Sequence, residues 1–199
     1  MQLSEASFLK DIAQHEMTVI ADNGLNRHLR FKKPGTMFEH FDILTWPGYL
    51  CYSGDMGTFV FRRVPDMFSF FRAKPTASEN LPINPGYWSE KLESIDRDGF
   101  EEYSSEKFVA AIHNWLDEMD ATPELREAVE DDVLTYAEYG ENRAVSAALE
   151  FAHDGDAVFT DFQETDLRVY THRFLWCCYA LVWGIRQYDE ARALQVEPA

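Results

Sequence analysis

The sequence predicts an α+β fold: an N-terminal antiparallel β-meander of about five strands with flanking helices, followed by an acidic α-helical part. Three observations predict it. Residues 38–63 hold three β-rich runs separated by Pro/Gly turns. Beyond residue 86, apolar residues recur mostly at helical spacing. Charge is also split along the chain. Residues 1–75 carry nine Lys/Arg and eight Asp/Glu, a net of +1, whereas residues 76–199 carry nine and 27, a net of −18. The expected organisation is a helix-plus-sheet half over 1–75 and an acidic helical half over 76–199, sharing one core.

Taken in order, Ser4 to Glu16 reads as a helix, with Ser4 as N-cap and Phe8, Leu9 and Ile12 on one face. Thr18, Val19 and Ile20 mark a strand, and Asp22-Asn23-Gly24 is a hairpin turn, since Asn and Gly accept positive φ. Asn26 to Lys33 alternates as the returning strand. Strands over Phe41–Trp46, Tyr49–Ser53 and Thr58–Arg63 are cut by Pro47-Gly48 and by Gly54-Asp55-Met56-Gly57. Connections this short join antiparallel neighbours. Asp66 caps a Phe-rich helix, Met67 to Arg72. Pro75, Pro82 and Pro85 mark residues 73–86 as a linker. A short helix is expected over Tyr87–Ile95, and longer ones capped by Ser104 or Ser105 and running to about Met119, from Thr122-Pro123 to about Tyr139, and from Asn142 to His153. Ala157–Phe162 reads as a short β-piece, and Thr165 as the start of a final helix reaching Leu194.

Composition narrows the function. A chain of 199 residues with net charge −17 that is 46% hydrophobic has enough apolar content to fold, so its acidity belongs on the outside of a packed body. Such a surface repels nucleic-acid backbone and anionic lipid and attracts basic protein surfaces. Direct nucleic-acid and membrane binding are therefore not expected. Cys51, Cys177 and Cys178 make no disulfide framework, and the last two sit in an apolar run where cysteine is a small buried hydrophobe. Residues 1–10 lack a basic-then-apolar signal pattern, and the apolar run Phe174–Ile185 is too short to cross a bilayer. A cytoplasmic protein is expected.

Eight carboxylates, Asp117, Glu118, Asp120, Glu124, Glu127, Glu130, Asp131 and Asp132, fall within 16 residues beside the single Arg126. Glu124, Glu127 and Asp131 share a helix face at i, i+3, i+4 spacing. Carboxylates about one turn, ~5.4 Å, apart approximate the spacing of backbone phosphates. These eight are the candidate partner-binding residues; a solvated helix face is the plainer alternative. The six histidines show no metal-ligand spacing and there is no cysteine cluster, so no metal or other cofactor is expected. His40 and Asp42, two apart on a strand, face one side and with Asp55 form the sole nucleus for metal or acid–base chemistry; a hydrogen-bonded surface trio is the default. No nucleophile stands in a recognisable motif, so no catalytic residue is assigned. The basic residues Arg27, Arg30, Lys32, Lys33, Arg62, Arg63, Arg72 and Lys74 are expected to pair with the acidic half, within the chain or in a homodimer. The aromatics Phe68, Phe70, Phe71, Trp88, Trp115, Trp176 and Trp183 read as core.

Over residues 41–72, Thr45-Trp46-Pro47-Gly48, Gly54-Asp55-Met56-Gly57 and Asp66-Met67 ahead of the Phe-rich helix resemble a family of largely uncharacterised phage and prophage proteins. Asn84-Pro85-Gly86-Tyr87-Trp88 fits the same likeness, whereas the acidic half resembles no family. The resemblance transfers no site residue. It implies a phage context, in which small acidic proteins often act against CRISPR-type or restriction defences, some by imitating DNA. The expected function is thus an acidic phage-type binding protein that inhibits a host nucleic-acid-binding defence complex by occupying its basic groove. The alternatives are a small metal-assisted enzyme on a nucleotide-like substrate, or a phage replication or structural accessory protein.

Overall fold

A computed structural model describes residues 3–196. Within them the chain forms a six-stranded antiparallel meander and seven α-helices, a mixed α+β fold. Helix α1 (Glu5–Asp11) starts where Ser4 Oγ accepts from the Ser7 amide at 3.2 Å. It is shorter than its apolar pattern suggests, because the β-branched run that follows is already in strand β1 (Glu16–Asn23). Strands β2 (Asn26–Lys32), β3 (His40–Trp46), β4 (Tyr49–Gly54) and β5 (Gly57–Arg62) follow, each paired with its sequence neighbour. Edge strand β1 carries a bulge: Val19 faces Leu29 and Ala21 faces His28, leaving Ile20 as the extra residue.

Period-two alternation decides the faces. Leu29, Phe31, Phe41, Ile43, Leu50, Tyr52, Phe59 and Phe61 are buried on one side, while Arg30, Asp42 and Cys51 alternate with them on the other. Gly54 is required where β3 and β4 approach: a Cβ there would meet the His40 carbonyl at 2.5 Å and Phe41 Cα at 2.7 Å. Helix α2 (Met67–Phe71) is capped by Asp66, whose carboxylate accepts from the Phe68 amide. Helix α3 (Pro85–Ser89) starts at Asn84 and ends early. The residues after it, expected to be helical, instead form strand β6 (Leu92–Ser94), the sixth of the meander, on the free edge of β5. Open ladder groups on β5 outweigh the weak helical pattern there.

Two compact units result: residues 1–100 with 170–199, and residues 101–169. This boundary differs from the expected one at 75/76, and each unit has its own hydrophobic cluster. In the second unit, β7 (Glu101–Tyr103) leads to α4 (Ser105–Glu118), capped by Ser104, and then to α5 (Pro123–Asp132), capped by Thr122. The turn of 3-10 helix over Leu134–Tyr139 replaces the expected last turns of that helix and stops at Gly140, whose φ is +90°. Helix α6 (Glu141–Glu150) is followed by a two-residue hairpin, β8 (Ala152–His153) and β9 (Asp156–Ala157), turned by Asp154-Gly155. The expected β-piece over Ala157–Phe162 is thus confined to its first residue. A short 3-10 turn (Phe162–Glu164) and strand β10 (Arg168–Tyr170), paired with β7, occupy the stretch assigned to the start of the final helix. The core here is Phe108, Ile112 and Leu116 of α4, Leu125 and Val129 of α5, and Ala144 and Ala148 of α6, closed by Phe151, Phe159, Phe162 and Leu167.

Back in the first unit, helix α7 (His172–Val196) starts at Thr171, whose Oγ1 accepts from the Phe174 amide at 3.2 Å. It is buried around much of its circumference: Phe174, Leu175, Trp176, Cys177, Cys178, Ala180, Leu181, Val182 and Ile185 are each at most 5% exposed. Of the aromatics read as core, Phe68, Phe71, Trp88 and Trp176 are buried and the others half-buried. Burial pushes the thiols of Cys177 and Cys178 well above their usual pKa, as expected of buried apolar groups. No helix among the described residues is long and apolar enough to cross a membrane.

Helix α7 meets the sheet at Gly184, where a Cβ would lie 2.8 Å from Ile43 Cδ1 and 3.0 Å from Phe31 Cζ. Both side chains are fully buried and have little room to yield. Gly184→Ala should therefore destabilise the protein by about 1–2 kcal/mol despite alanine's better helix propensity. The check is the urea midpoint at constant m-value; an unchanged or raised midpoint would show that the contact relaxes freely.

Candidate functional site

The charge split has a structural address. Residues 101–169 hold 19 Asp/Glu and four Lys/Arg, a net of −15, whereas the rest of the chain carries −2. All eight predicted carboxylates are exposed: Asp117 and Glu118 at the end of α4, Asp120 in the link, and Glu124, Glu127, Glu130, Asp131 and Asp132 on α5. With Leu125 and Val129 facing the core, Glu124, Glu127, Glu130 and Asp131 fall on the opposite arc of α5, so the packing that builds the unit also turns them outward.

The four bases of this unit are already engaged. Lys107 meets Asp166 at 2.8 Å, Arg168 meets Glu141 at 2.7 Å, and Arg143 lies over the Tyr136 ring. Arg126 pairs with Asp117 at 2.8 Å and donates to the Leu116 and Ala121 carbonyls, so it closes the end of α4. Glu130 lies 3.9 Å from His113. Glu118, Asp120, Glu124, Glu127, Asp131 and Asp132 have no basic partner among the described residues. Two of the eight also serve the fold. Hydrogen bonds from its own backbone amide and from the Thr122 cap hold the Glu124 carboxylate below its usual pKa. Asp120 sits at φ +50° in a Schellman turn, its amide donating to the Asp117 carbonyl and the Ala121 amide to that of Leu116.

The N-terminal bases meet the expectation in part. Arg62 lies 3.8 Å from Glu93 and Arg72 makes a two-pronged contact with Asp189, both acids of residues 76–199. Arg27 binds Asp66, Arg30 binds Asp42 and Lys33 binds Glu39, all within residues 1–75.

The trio of His40, Asp42 and Asp55 does not assemble. Asp42 faces Arg30 across the β2–β3 ladder and is held by Arg30 at 2.7 and 2.8 Å and by His28 at 3.1 Å. Burial works to raise its pKa, but those hydrogen bonds outweigh it and hold the carboxyl below its usual value. Asp55, in the β4–β5 turn, accepts from the His40 amide at 3.1 Å, with its other oxygen 3.5 Å from His40 Nδ1. That longer contact is an ion-pair distance without hydrogen-bond geometry, and His40 Nδ1 has no hydrogen-bond partner.

His40 and Asp55 instead line a cavity of about 210 Å³ with Asp11, His15, Glu39, Tyr52, Met56 and Trp176. It lies where the end of α1, the start of β3, the β4–β5 turn and the first turns of α7 converge. Sequence reasoning missed its floor. Trp176 reads as ordinary core and Tyr52 carries no signal of its own, and the alternation that turns Tyr52 inward does not reveal whether its hydroxyl finds a partner. His15 shows no spacing signal, since its neighbours come from distant strands. Burial holds the His15 imidazole below its ordinary pKa and the Tyr52 phenol well above its own, so both are neutral near pH 7. No group of three or more His, Cys, Asp or Glu among the described residues is placed to hold a metal ion.

Comparison with protein-family models, curated proteins and solved structures gives no match. No family model stands behind the resemblance expected for residues 41–72.

Two outcomes follow. Asp120→Gly should leave stability unchanged or raise it by up to about 1 kcal/mol, because glycine adopts positive φ without steric conflict; thermal melting checks it, and a marked loss would mean that the carboxylate itself stabilises the turn. His15, with its folded pKa lowered, binds fewer protons folded than unfolded just below 6.5. Its contribution to stability is present above that value and declines as pH falls toward the folded pKa. The urea midpoint should thus drop on mild acidification, and the drop should be shallower in His15→Gln.

Proposed function

We propose that this protein is a binding protein whose acidic unit docks on a basic, nucleic-acid-binding groove of another protein and so competes with the nucleic acid. The observation that carries this reading is a net of −15 over 69 folded residues, with exposed, mostly unpaired carboxylates along the end of α4 and the outer arc of α5. A small domain needs a net charge of only about 2–8 in magnitude to remain soluble. Like charges at i, i+3 and i+4 each oppose folding by a few tenths of a kcal/mol. A charge held well beyond the solubility requirement, at a cost to stability, supports a role in attraction. Its field would steer a cationic surface and raise the association rate. The specific target is a host defence complex of the CRISPR or restriction type in the host cytoplasm, in line with the resemblance of the β-meander. The metal-assisted alternative has lost its nucleus, because Asp42 is committed to Arg30 and His28.

The triple reversal Glu124→Lys, Glu127→Lys and Asp131→Lys tests the reading. Capture of nucleic-acid-binding proteins from a bacterial lysate by the parent chain should weaken as salt rises above about 0.15 M. The reversed chain should capture less than a tenth as much while melting no lower. Equal capture by parent and variant, or capture indifferent to salt, overturns the proposal.

A further inference from the structure

Two adjacent apolar side chains stand almost fully in solvent. Met37 is 85% exposed and Phe38 74%, in the connection between β2 and β3. Of the other exposed large hydrophobics among the described residues, only Leu194 at 77% and Tyr139 at 73% come near them. The connection is held by its own bonds. The Lys33 amide donates to the Glu39 carbonyl at 3.1 Å and closes the loop. The Thr36 hydroxyl lies 3.1 Å from the Lys33 carbonyl and 2.5 Å from that of Phe38, and Lys33 is ion-paired with Glu39 at 2.9 Å. Met37 and Phe38 are thus carried outward and take no part in the hydrophobic cluster of their unit. Leaving a phenyl ring in water forgoes about 1.5–3 kcal/mol of burial. A single exposed hydrophobe needs no explanation, but a pair presented on a closed loop is the pattern of an anchor for a partner.

The loop ends where the cavity begins. Glu39 and His40 follow Phe38 directly and line the cavity of about 210 Å³. Its lining joins Met56, Tyr52 and Trp176 to the acids Asp11, Glu39 and Asp55, with no Lys or Arg among the described residues. Asp11, Glu39 and Asp55 are exposed, so the cavity opens at the surface.

We propose that Phe38 of one copy of this chain inserts into the cavity of a second copy, and that the exchange is reciprocal. Charge, size and position select this occupant. Residues 32–38 read Lys-Lys-Pro-Gly-Thr-Met-Phe, with two bases and no acid, and the cavity lining offers three acids and neither Lys nor Arg. A dry cavity of about 150 Å³ accepts benzene, so 210 Å³ takes one phenyl ring with its methylene. Because loop and cavity adjoin at Glu39, a twofold axis beside that residue seats both loops at once, and the contact closes as an isologous dimer. The bonds that close the loop keep Phe38 out of the cavity of its own chain. A contact made by two short loops falls at the small end of specific interfaces, below about 1,200 Å², so the dimer is weak and transient. All these residues belong to the first unit and are distinct from the carboxylates of the proposed docking surface, so the two proposals stand or fall separately.

The test is sedimentation of the full chain from about 5 to about 500 μM in about 0.3 M salt, where the net charge of −17 on each copy is largely screened. The parent should pass from monomer toward dimer and go no further. Phe38→Ser, at an exposed position, should keep the parent melting temperature and self-associate at least about tenfold more weakly. Asp11→Lys, at the exposed end of α1, keeps the loop but sets a base where the basic loop enters, and should weaken association likewise. Mixed, the two variants regain one intact contact, the loop of Asp11→Lys in the cavity of Phe38→Ser. The equimolar mixture should therefore associate more strongly than either variant alone. A parent that stays monomeric at the highest concentration, or that grows past the dimer, overturns the proposal. Undiminished association of a folded Phe38→Ser overturns the role of the loop. A mixture no stronger than its components overturns insertion into the cavity.

Discussion

The rest of the first unit depends on the burial of α7 against the inner face of the meander. The helix is apolar around much of its circumference, so no single neighbour can shield it. Phe31, Phe41 and Ile43 of the sheet meet it on one side, and α1, α2 and α3 take up others. Each buried Leu, Ile or Phe contributes about 1.5–3 kcal/mol relative to exposure, so Phe174, Leu175, Leu181 and Ile185 make α7 a large contributor to the apolar stabilisation of this unit. Gly184 shows how close the contact is. A helix interior accepts glycine at about 1 kcal/mol relative to alanine, and here the missing Cβ lets the backbone approach Ile43 and Phe31. Ion pairs then tie the ends of the helix to the sheet half: Arg173 to Asp96, Arg72 to Asp189, and Arg192 to Asp22, which also accepts from the Tyr188 hydroxyl.

Because α7 comes from the far end of the chain, residues 101–169 form an excursion between two parts of one unit. This connectivity allows a charge distribution that a single mixed core would resist. The excursion has its own cluster around Phe108, Val129 and Phe162, so it can fold around apolar side chains of its own while its surface carries −15. The like-charge repulsion is offset locally, by Arg126 closing α4 and by caps at Ser104 and Thr122.

The meander was legible in the sequence because turn chemistry is local. Asn23-Gly24, Pro47-Gly48 and the Gly54–Gly57 turn each specify their connection through φ preferences that do not depend on the remainder of the fold. The caps at Ser4, Asp66, Ser104 and Thr122 were legible for the same reason. What escaped was decided at a distance. Strand β6 exists because β5 offers an open edge, not because Leu92–Ser94 has a strong strand pattern. The start of α7 was misread by seven residues because Arg168–Tyr170, within reach of a helical pattern, pairs with β7 instead. Strand alternation predicts His40 and Asp42 on one face, yet His40 lines the cavity with Tyr52 and Trp176 while Arg30 and His28 claim Asp42 across the ladder.

The cavity escaped for a further reason. Period-two burial made Tyr52 and helical packing made Trp176 into core residues, and for most of their atoms they are. A sequence pattern records that a side chain is buried but not whether its polar tip is satisfied. Had these positions served packing alone, Phe at 52 and a purely apolar residue at 176 would fill the same space and leave no hydroxyl or indole N–H to desolvate. Both are present, and burying Tyr52 Oη and Trp176 Nε1 without a hydrogen-bond partner is costly to the folded protein. Nearby, Glu39 is held at φ +56°, a conformation that a glutamate adopts only with strain. Arg27 Nε on β2 is in the same unpartnered state, and Asp120, Asp154 and Asp161 also adopt positive φ. A burial pattern alone thus hides the polar cost of a position wherever the chain places it.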